Sequence, residues 1–229
     1  MTQENPITFG ELIATVLALL ASVASPLSFS VSATGMVSFH WLAEVVMFPA
    51  LLLWIGIAAI SYLVKWGNLS RSMLLAFVAG IVGTISMEIV RIIGFRYFET
   101  MPGSLPMLIG VQLTDQFMNG PNLWSNLLGW SDHYWNGIGF AFIYIVLIGR
   151  EHWWFGGIYA LGIATIFMLS PVMDMIGVGK FGQLYAPLLF PITVYLAHLA
   201  WGVTLGILVQ RAKSAPPPLY RSISMSFRS

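Results

Sequence analysis

The sequence predicts an all-α membrane protein with six transmembrane helices and a short interfacial helix on the outer face, between spans three and four. Three observations predict this class. The 229 residues are 58% hydrophobic and only 8% charged, whereas a soluble domain carries about 25% charged residues. The apolar residues fall into runs near the ~20 residues that a helix needs to cross a bilayer. Lys and Arg are distributed unevenly among the segments between these runs.

Six apolar segments are predicted to cross the membrane within one polytopic domain, residues 1–211. They cover residues 8–27, 37–64, 71–97, 134–149, 153–172 and 185–210. Pro49 lies inside the second segment and predicts a kink there. Residues 212–229 are polar, include three consecutive prolines and are predicted to form a disordered cytoplasmic tail.

The positions of Lys and Arg predict the orientation. With the N-terminus in the cytoplasm, the inner segments hold seven of the ten basic residues and the outer half holds three. This asymmetry follows the positive-inside rule. An even number of spans then places both termini in the cytoplasm. We therefore expect a multi-pass protein of a bacterial-type inner (cytoplasmic) membrane.

The second outer connection, residues 99–133, is too long for a structureless loop in a compact domain. Ser104 followed by Pro106 and an apolar run to Met118 predicts a short helix that lies on or dips into the outer face. The sequence Asn-Gly-Pro-Asn at 119–122 predicts a turn after it.

Composition excludes several functions. Without cysteine, the chain offers no thiolate for an iron–sulfur cluster or for a covalent c-type haem. The net charge of +1 gives no reason to expect nucleic acid as a partner. The expected partner is the lipid bilayer, together with other membrane subunits or further copies of this chain.

One face of span three carries small residues followed by two charges. This face presents Ala76, Gly80, Thr84, Glu88 and Arg91. The first four are spaced four residues apart and Arg91 follows three residues after Glu88, so all five share one helix face. Small residues let a neighbouring helix approach closely in lipid. Because a charge facing lipid would cost several kcal/mol, we expect Glu88 and Arg91 to point into the bundle.

Most ionisable side chains fall in the outer half of the bundle in this topology. The predicted buried polar cluster comprises His40, Glu44, Glu88, Arg91, Asp132, His133, Asp174 and His198. Within it, His40 and Glu44 share a helix face at i,i+4 spacing. His198 is the deepest member, roughly 15–20 Å below the outer end of span six at 1.5 Å per residue.

Three uses of this cluster are compatible with the sequence. In the first, the charges pair and stabilise the bundle of a non-catalytic protein, free-standing or an accessory subunit of a larger energy-converting membrane complex. In the second, a transition metal or a b-type haem binds to imidazoles and carboxylates. Candidate ligands for it are His40, Glu44, Glu88, His133 and His198. In the third, buried acids and imidazoles transport protons or a small solute. The first is our principal hypothesis.

Span six and the segment before it resemble a known family. The sequence AHLAWGVTLG at 197–206 and the sequence PVMDMIG at 171–177, with Gly179 and Phe181 after it, are similar to the closing helix and its preceding segment in small bacterial membrane proteins. That family is known only as a domain of unknown function. The resemblance covers about residues 70–211 and leaves out the first two spans. It implies a four-helix membrane module with a histidine in the last helix, and it implies no activity.

Overall fold

All regular secondary structure in residues 7–226, the part of the chain that the computed structural model describes, is helical. The α-helices are α1 Phe9–Ser22, α2 Ala24–Ser32, α3 Phe39–Leu42, α4 Phe48–Leu63, α5 Gly67–Phe98, α6 Leu105–Thr114, α7 Leu123–Leu147, α8 Trp154–Leu169, α9 Val172–Met175, α10 Leu189–Arg211 and α11 Leu219–Ser226. A π-helical turn joins α3 to α4, and two short 3₁₀ turns occupy Phe117–Asn119 and Lys180–Gly182.

Four stretches of the described chain are long and apolar enough to cross a membrane. They are Phe9–Ser32, Phe39–Leu63, Gly67–Phe98 and Leu189–Arg211. The prediction of an all-helical protein with apolar, membrane-type helices is confirmed at this level. Length and composition thus identify four candidate spans, and the predicted number of six and the interfacial position of a helix stay predictions.

The helix predicted as span four begins earlier than expected. The prediction starts it at Tyr134, whereas α7 begins at Leu123. Asn122 caps it: its side-chain oxygen accepts from the Ser125 N–H at 2.9 Å, and the Ser125 hydroxyl accepts from the Asn122 N–H at 2.9 Å. This reciprocal capping box fixes the start of the helix. The first turns of α7 contain polar residues, so a hydropathy pattern does not show that the helix has already begun.

A π-helical turn, Ala43–Met47, lies just before Pro49, the position at which a kink is predicted. Proline has no N–H, and its ring would clash with the carbonyl four residues before it. The chain responds just upstream, where the Phe48 N–H donates to the Ala43 carbonyl, five residues back rather than four. The π-turn therefore follows directly from the proline.

Small residues allow the helices to cross closely. A Cβ atom on Gly80 of α5 would lie 2.5 Å from the Cα of Ile138 on α7. In α8, Gly156 packs directly on the backbone of Gly202 in α10. Such backbone contacts are typical of helix pairs in membranes. They hold α5, α7, α8 and α10 around a shared interior.

The structure differs from the predicted disorder of the tail in one segment. Helix α11, Leu219–Ser226, follows a buried Pro218 that packs on Gly149 at the end of α7. Arg221 also lies 3.3 Å from the carboxylate of Glu151. These local contacts connect the segment to the bundle. Residues 227–229 of the predicted tail lie outside the described range.

Candidate functional site: a largely apolar cavity between the helices

Glu88 joins α5 to α7 through a single carboxylate oxygen. Its Oε1 atom accepts from Nη1 of Arg91 at 2.6 Å and from Nε2 of His133 at 2.8 Å. The three side chains are only 11–13% exposed. The negative and positive charges in contact offset each other, which is how buried charges are accommodated inside a membrane bundle.

The contact also fixes the imidazole of His133. A carboxylate only accepts hydrogen bonds, so the proton of this contact resides on Nε2. One helical turn away, Thr84 of α5 packs against Gly137 of α7. This contact sets the register in which Glu88 and His133 meet.

Asp132 does not take part in the Glu88 contacts of His133, the next residue in the chain, and has its own hydrogen-bond partners. Its Oδ1 accepts from the Ser25 hydroxyl at 2.6 Å, and its Oδ2 accepts from Nδ2 of Asn136 at 3.1 Å. The residue is 8% exposed. Asp132 therefore ties α2 to α7 and orients the amide of Asn136.

His198 bonds to its own helix. Its Nδ1 donates to the Val194 carbonyl at 2.8 Å, which leaves the lone pair on Nε2 in the neutral ring. The imidazole lies near the ring of Phe167, with 6.2 Å between the centroids.

Three members of the predicted polar cluster lie elsewhere. His40 and Glu44 form a pair at 3.5 Å whose side chains are 41% and 65% exposed. His40 also donates from Nδ1 to the Leu113 carbonyl at 2.6 Å and so connects α3 to α6. Asp174 is exposed, because Val172 and Met173 occupy the buried side of the short helix α9.

The five residues predicted as metal or haem ligands do not converge. Within residues 7–226, no group of three or more His, Asp or Glu side chains is placed to hold a metal ion. The His40–Glu44 pair is exposed, Glu88 and His133 bond to each other, and His198 bonds to its own helix. The described residues therefore contain no set of side chains that supports the metal hypothesis.

A cavity of about 480 Å³ is lined by residues of seven helices, α2, α5, α6, α7, α8, α9 and α10. Its volume is typical of small-molecule sites, which measure about 300–1,000 Å³. Most of its wall is apolar, as represented by Met87, Leu108, Phe140, Ile163, Phe190 and Val194. Arg91, His133 and His198 also line it, whereas Glu88 does not.

Three residues that line the cavity each carry one polar atom without a hydrogen-bond partner within the described chain. The atoms are the hydroxyl of Thr84, Oδ1 of Asn136 and the indole N–H of Trp201, all fully buried. Leaving such a group unsatisfied costs about 1–3 kcal/mol. Because these atoms have almost no accessible surface, they are not part of the surface that the cavity presents.

Two polar residues, Asn136 and Glu11, make contacts that the sequence analysis did not predict. Asn136 lies among aromatic residues of α7, and its nearness to Asp132 at i+4 was the available signal. Glu11 is 4% exposed and accepts the N–H of Leu69 at 3.0 Å, so it caps the start of α5 from another helix. A lone acid in an apolar first turn signals a capping role, but its partner lies far away in sequence.

We found no match to a protein-family model, to a curated protein or to a solved structure. The resemblance of residues 70–211 to a domain of unknown function therefore stays a prediction.

Proposed function

We propose that this chain is a non-catalytic polytopic membrane protein that binds a small lipid-soluble molecule in the cavity between its helices. The observation that carries this proposal is the 480 Å³ cavity, apolar over most of its wall and polar at Arg91, His133 and His198. Sites for small molecules combine a hydrophobic lining with a few placed polar groups in this way.

The contacts of the polar residues support a binding role. Glu88 shares one oxygen between Arg91 and His133, and it does not line the cavity. This arrangement holds a guanidinium and an imidazole in fixed positions on the wall. Pre-positioned polar groups orient a bound molecule at little entropic cost.

We also propose the finer topology of six crossings. These are made by α1 with α2, α3 with α4, α5, α7, α8 and α10, with α6 at the outer surface and both termini in the cytoplasm of a bacterial-type cell. Helix α7 has 25 residues, more than the ~20 needed. Helix α8 has 16 residues and measures about 24 Å, so it is the shortest crossing.

A role as an accessory subunit of a larger membrane complex is the second candidate. One observation favours it: only 17% of the most apolar window of Phe39–Leu63 is buried inside the chain, against 44–50% for the other candidate spans. A helix so little covered by its own chain has surface to pack against other helices. Crosslinking in native membranes followed by mass spectrometry should then join this span to a second polypeptide.

Photolabelling tests the binding proposal. A diazirine-bearing alkane without a polar headgroup is added to the full chain in nanodiscs, and labelled peptides are mapped by mass spectrometry. We expect labelling of residues on the cavity wall, beyond the uniform labelling of lipid-facing positions.

Two matched glycine variants provide the control. A Cβ on either Gly103 or Gly162 would meet no atom within 4 Å, but only Gly103 lines the cavity. Gly103→Phe should lower labelling of the cavity wall, whereas Gly162→Phe should leave it unchanged. Equal labelling in both variants and the parent chain would contradict the proposal.

A further inference from the structure

We propose that a second cavity, at the start of α8 and the end of α10, binds the phosphate group of an anionic phospholipid. This surface cavity is separate from the cavity between the helices, and lipid binding there does not depend on the function proposed above. Three features support the assignment: two arginines without an acidic partner, a position at the end of a candidate span, and exposed aromatic side chains beside the arginines.

The surface cavity measures about 690 Å³ and lies where the turn between α7 and α8 meets the last turn of α10. Its lining includes Arg150, Trp153, Ile207, Gln210 and Arg211. Gln210 connects the two segments, because its carbonyl accepts from Nε of Arg150 at 2.8 Å and its Oε1 accepts from the Trp153 N–H at 3.0 Å. A backbone carbonyl rather than a carboxylate thus holds the guanidinium of Arg150 at the cavity.

The two arginines of the surface cavity retain free hydrogen-bond donors. Arg150 uses only its Nε donor within residues 7–226, and the guanidinium of Arg211 has no hydrogen-bond or ion-pair partner in that range. Glu151 also lines the cavity, but its carboxylate lies 3.3 Å from Nη2 of Arg221. The positive charges of Arg150 and Arg211 are therefore not neutralised by a described carboxylate.

Phosphate is an anion that suits this arrangement. A guanidinium presents paired N–H donors that match the oxygens of a phosphate. Arg150 and Arg211 belong to different segments of the chain but line the same cavity, so a bound phosphate can contact both. The start of α8 borders the cavity at Trp153, and the positive end of its helix dipole adds to the attraction for an anion.

The position of the surface cavity favours a lipid as the source of the phosphate. Arg211 is the last residue of the candidate span Leu189–Arg211, so it lies where this helix would leave the membrane. Trp153, Trp154 and Phe155 are 41%, 42% and 36% exposed, and tryptophan is enriched at the level of the headgroups. Basic pockets between transmembrane helices bind anionic headgroups. A soluble phosphate would contact the arginines alone, whereas a phospholipid also covers the exposed rings.

Native mass spectrometry of the full chain in detergent tests the proposal. The probes are dioleoylphosphatidylglycerol, whose headgroup is anionic, and dioleoylphosphatidylcholine, which has the same acyl chains and no net charge. We expect dioleoylphosphatidylglycerol to bind the parent chain with the lower dissociation constant. Inorganic phosphate, added at the concentrations at which this lipid binds, should not displace it.

Variants assign the lipid preference to the surface cavity. Arg150→Gln and Arg211→Gln should each weaken the binding of dioleoylphosphatidylglycerol about fivefold, the effect of one basic residue at an anionic membrane surface. Arg150→Lys and Arg211→Lys should retain most of the preference, because they keep the charge. The circular dichroism spectrum of each variant reports that its helices are retained.

Arg71→Gln is the matched control. The Nε atom of Arg71 likewise donates to a backbone carbonyl, that of Gly67 at 2.6 Å, and Arg71 lies on the same membrane surface in the proposed topology. It does not line the surface cavity, so Arg71→Gln should bind dioleoylphosphatidylglycerol as the parent chain does.

Three results would overturn the proposal. Equal dissociation constants of the two lipids for the parent chain would mean that Arg150 and Arg211 are only solvated charges. An effect of Arg71→Gln as large as that of Arg211→Gln would mean that the charge of the whole surface attracts the lipid. Displacement of the lipid by inorganic phosphate would assign the site to a soluble phosphate. Each of these results would leave photolabelling of the cavity between the helices as a separate test of the proposed function.

Discussion

One carboxylate oxygen of Glu88 accepts hydrogen bonds from the guanidinium of Arg91 and the imidazole of His133. The contact with Arg91 could be predicted from the sequence, whereas the contact with His133 could not. The i,i+3 spacing of Glu88 and Arg91 is local, so the sequence alone indicated that they share a helix face. His133 lies on another helix. Its approach depends on the contact of Thr84 with Gly137, and no local pattern specifies how two helices rotate against each other.

Removing one member of the charge pair should cost much more than removing both. Glu88→Leu leaves the Arg91 guanidinium buried without its carboxylate, and we expect a loss of about 3–5 kcal/mol in the free energy of unfolding. Arg91→Leu should cost less than Glu88→Leu, because Glu88 still accepts the hydrogen bond from Nε2 of His133 at 2.8 Å. The double variant should lose far less, because no unpaired charge remains.

Unfolding in mixed detergent micelles, followed by circular dichroism, measures these three variants. Glu99→Leu is a suitable control, because Glu99 is exposed. A double variant as unstable as the sum of the single variants would show that the two charges act independently.

At the scale of the elements, capping and glycine contacts decide where helices begin and how they meet. The start of α7 depends on the Asn122–Ser125 capping box, which a hydropathy pattern does not register. The π-turn before Pro49 was predictable as a kink, since it follows from the missing N–H of one residue. The exposure of Glu44 and Asp174 was not, because it depends on which faces the neighbouring helices cover.

Loss of the cap should destabilise the start of α7. Asn122→Ala removes the acceptor of the Ser125 N–H, and we expect a loss of about 1 kcal/mol in the free energy of unfolding. Hydrogen exchange of the first turn should accelerate as well. The control is Asn119→Ala, because Asn119 is exposed and outside the helix. Equal effects of the two substitutions would contradict the capping role.

Helix α8 offers a matched pair of glycines for its crossing with α10. Gly156 packs on the backbone of Gly202, whereas a Cβ on Gly162 meets no atom within 4 Å. Gly156→Leu should destabilise the chain by about 1–3 kcal/mol or more through overpacking. Gly162→Leu should be neutral or stabilising, since leucine favours a helix over glycine. Thermal unfolding of both variants in one detergent compares them directly, and equal melting temperatures would refute the crossing.

At the scale of the whole molecule, composition was sufficient to predict a helical membrane protein, because so few charges cannot cover a soluble surface. The number of crossings was harder to predict. Helix α8 is short and α7 is rich in polar and aromatic residues. Length and hydropathy therefore identify neither helix as a candidate span. The cavity was not predictable, because its wall is assembled from seven helices that extend from α2 to α10.

Single cysteines test the topology, since the chain contains no native cysteine. Met36 and Met118 are 83% and 99% exposed, and Ser214 is also exposed. In intact cells a membrane-impermeant maleimide should label Met36→Cys and Met118→Cys. It should label Ser214→Cys only after permeabilisation. If Met118→Cys and Ser214→Cys are labelled from the same side, the chain crosses the membrane an even number of times between them. Helix α8 would then be the first candidate for a helix that does not cross.

The pairing of Glu88 with Arg91 has a consequence for cellular energetics. A voltage across the membrane performs work of about 2.3 kcal/mol per 100 mV on each elementary charge that moves through it. A guanidinium and a carboxylate in contact at 2.6 Å move together and carry no net charge. Displacement of this pair would therefore be insensitive to the electrical potential of an energised membrane.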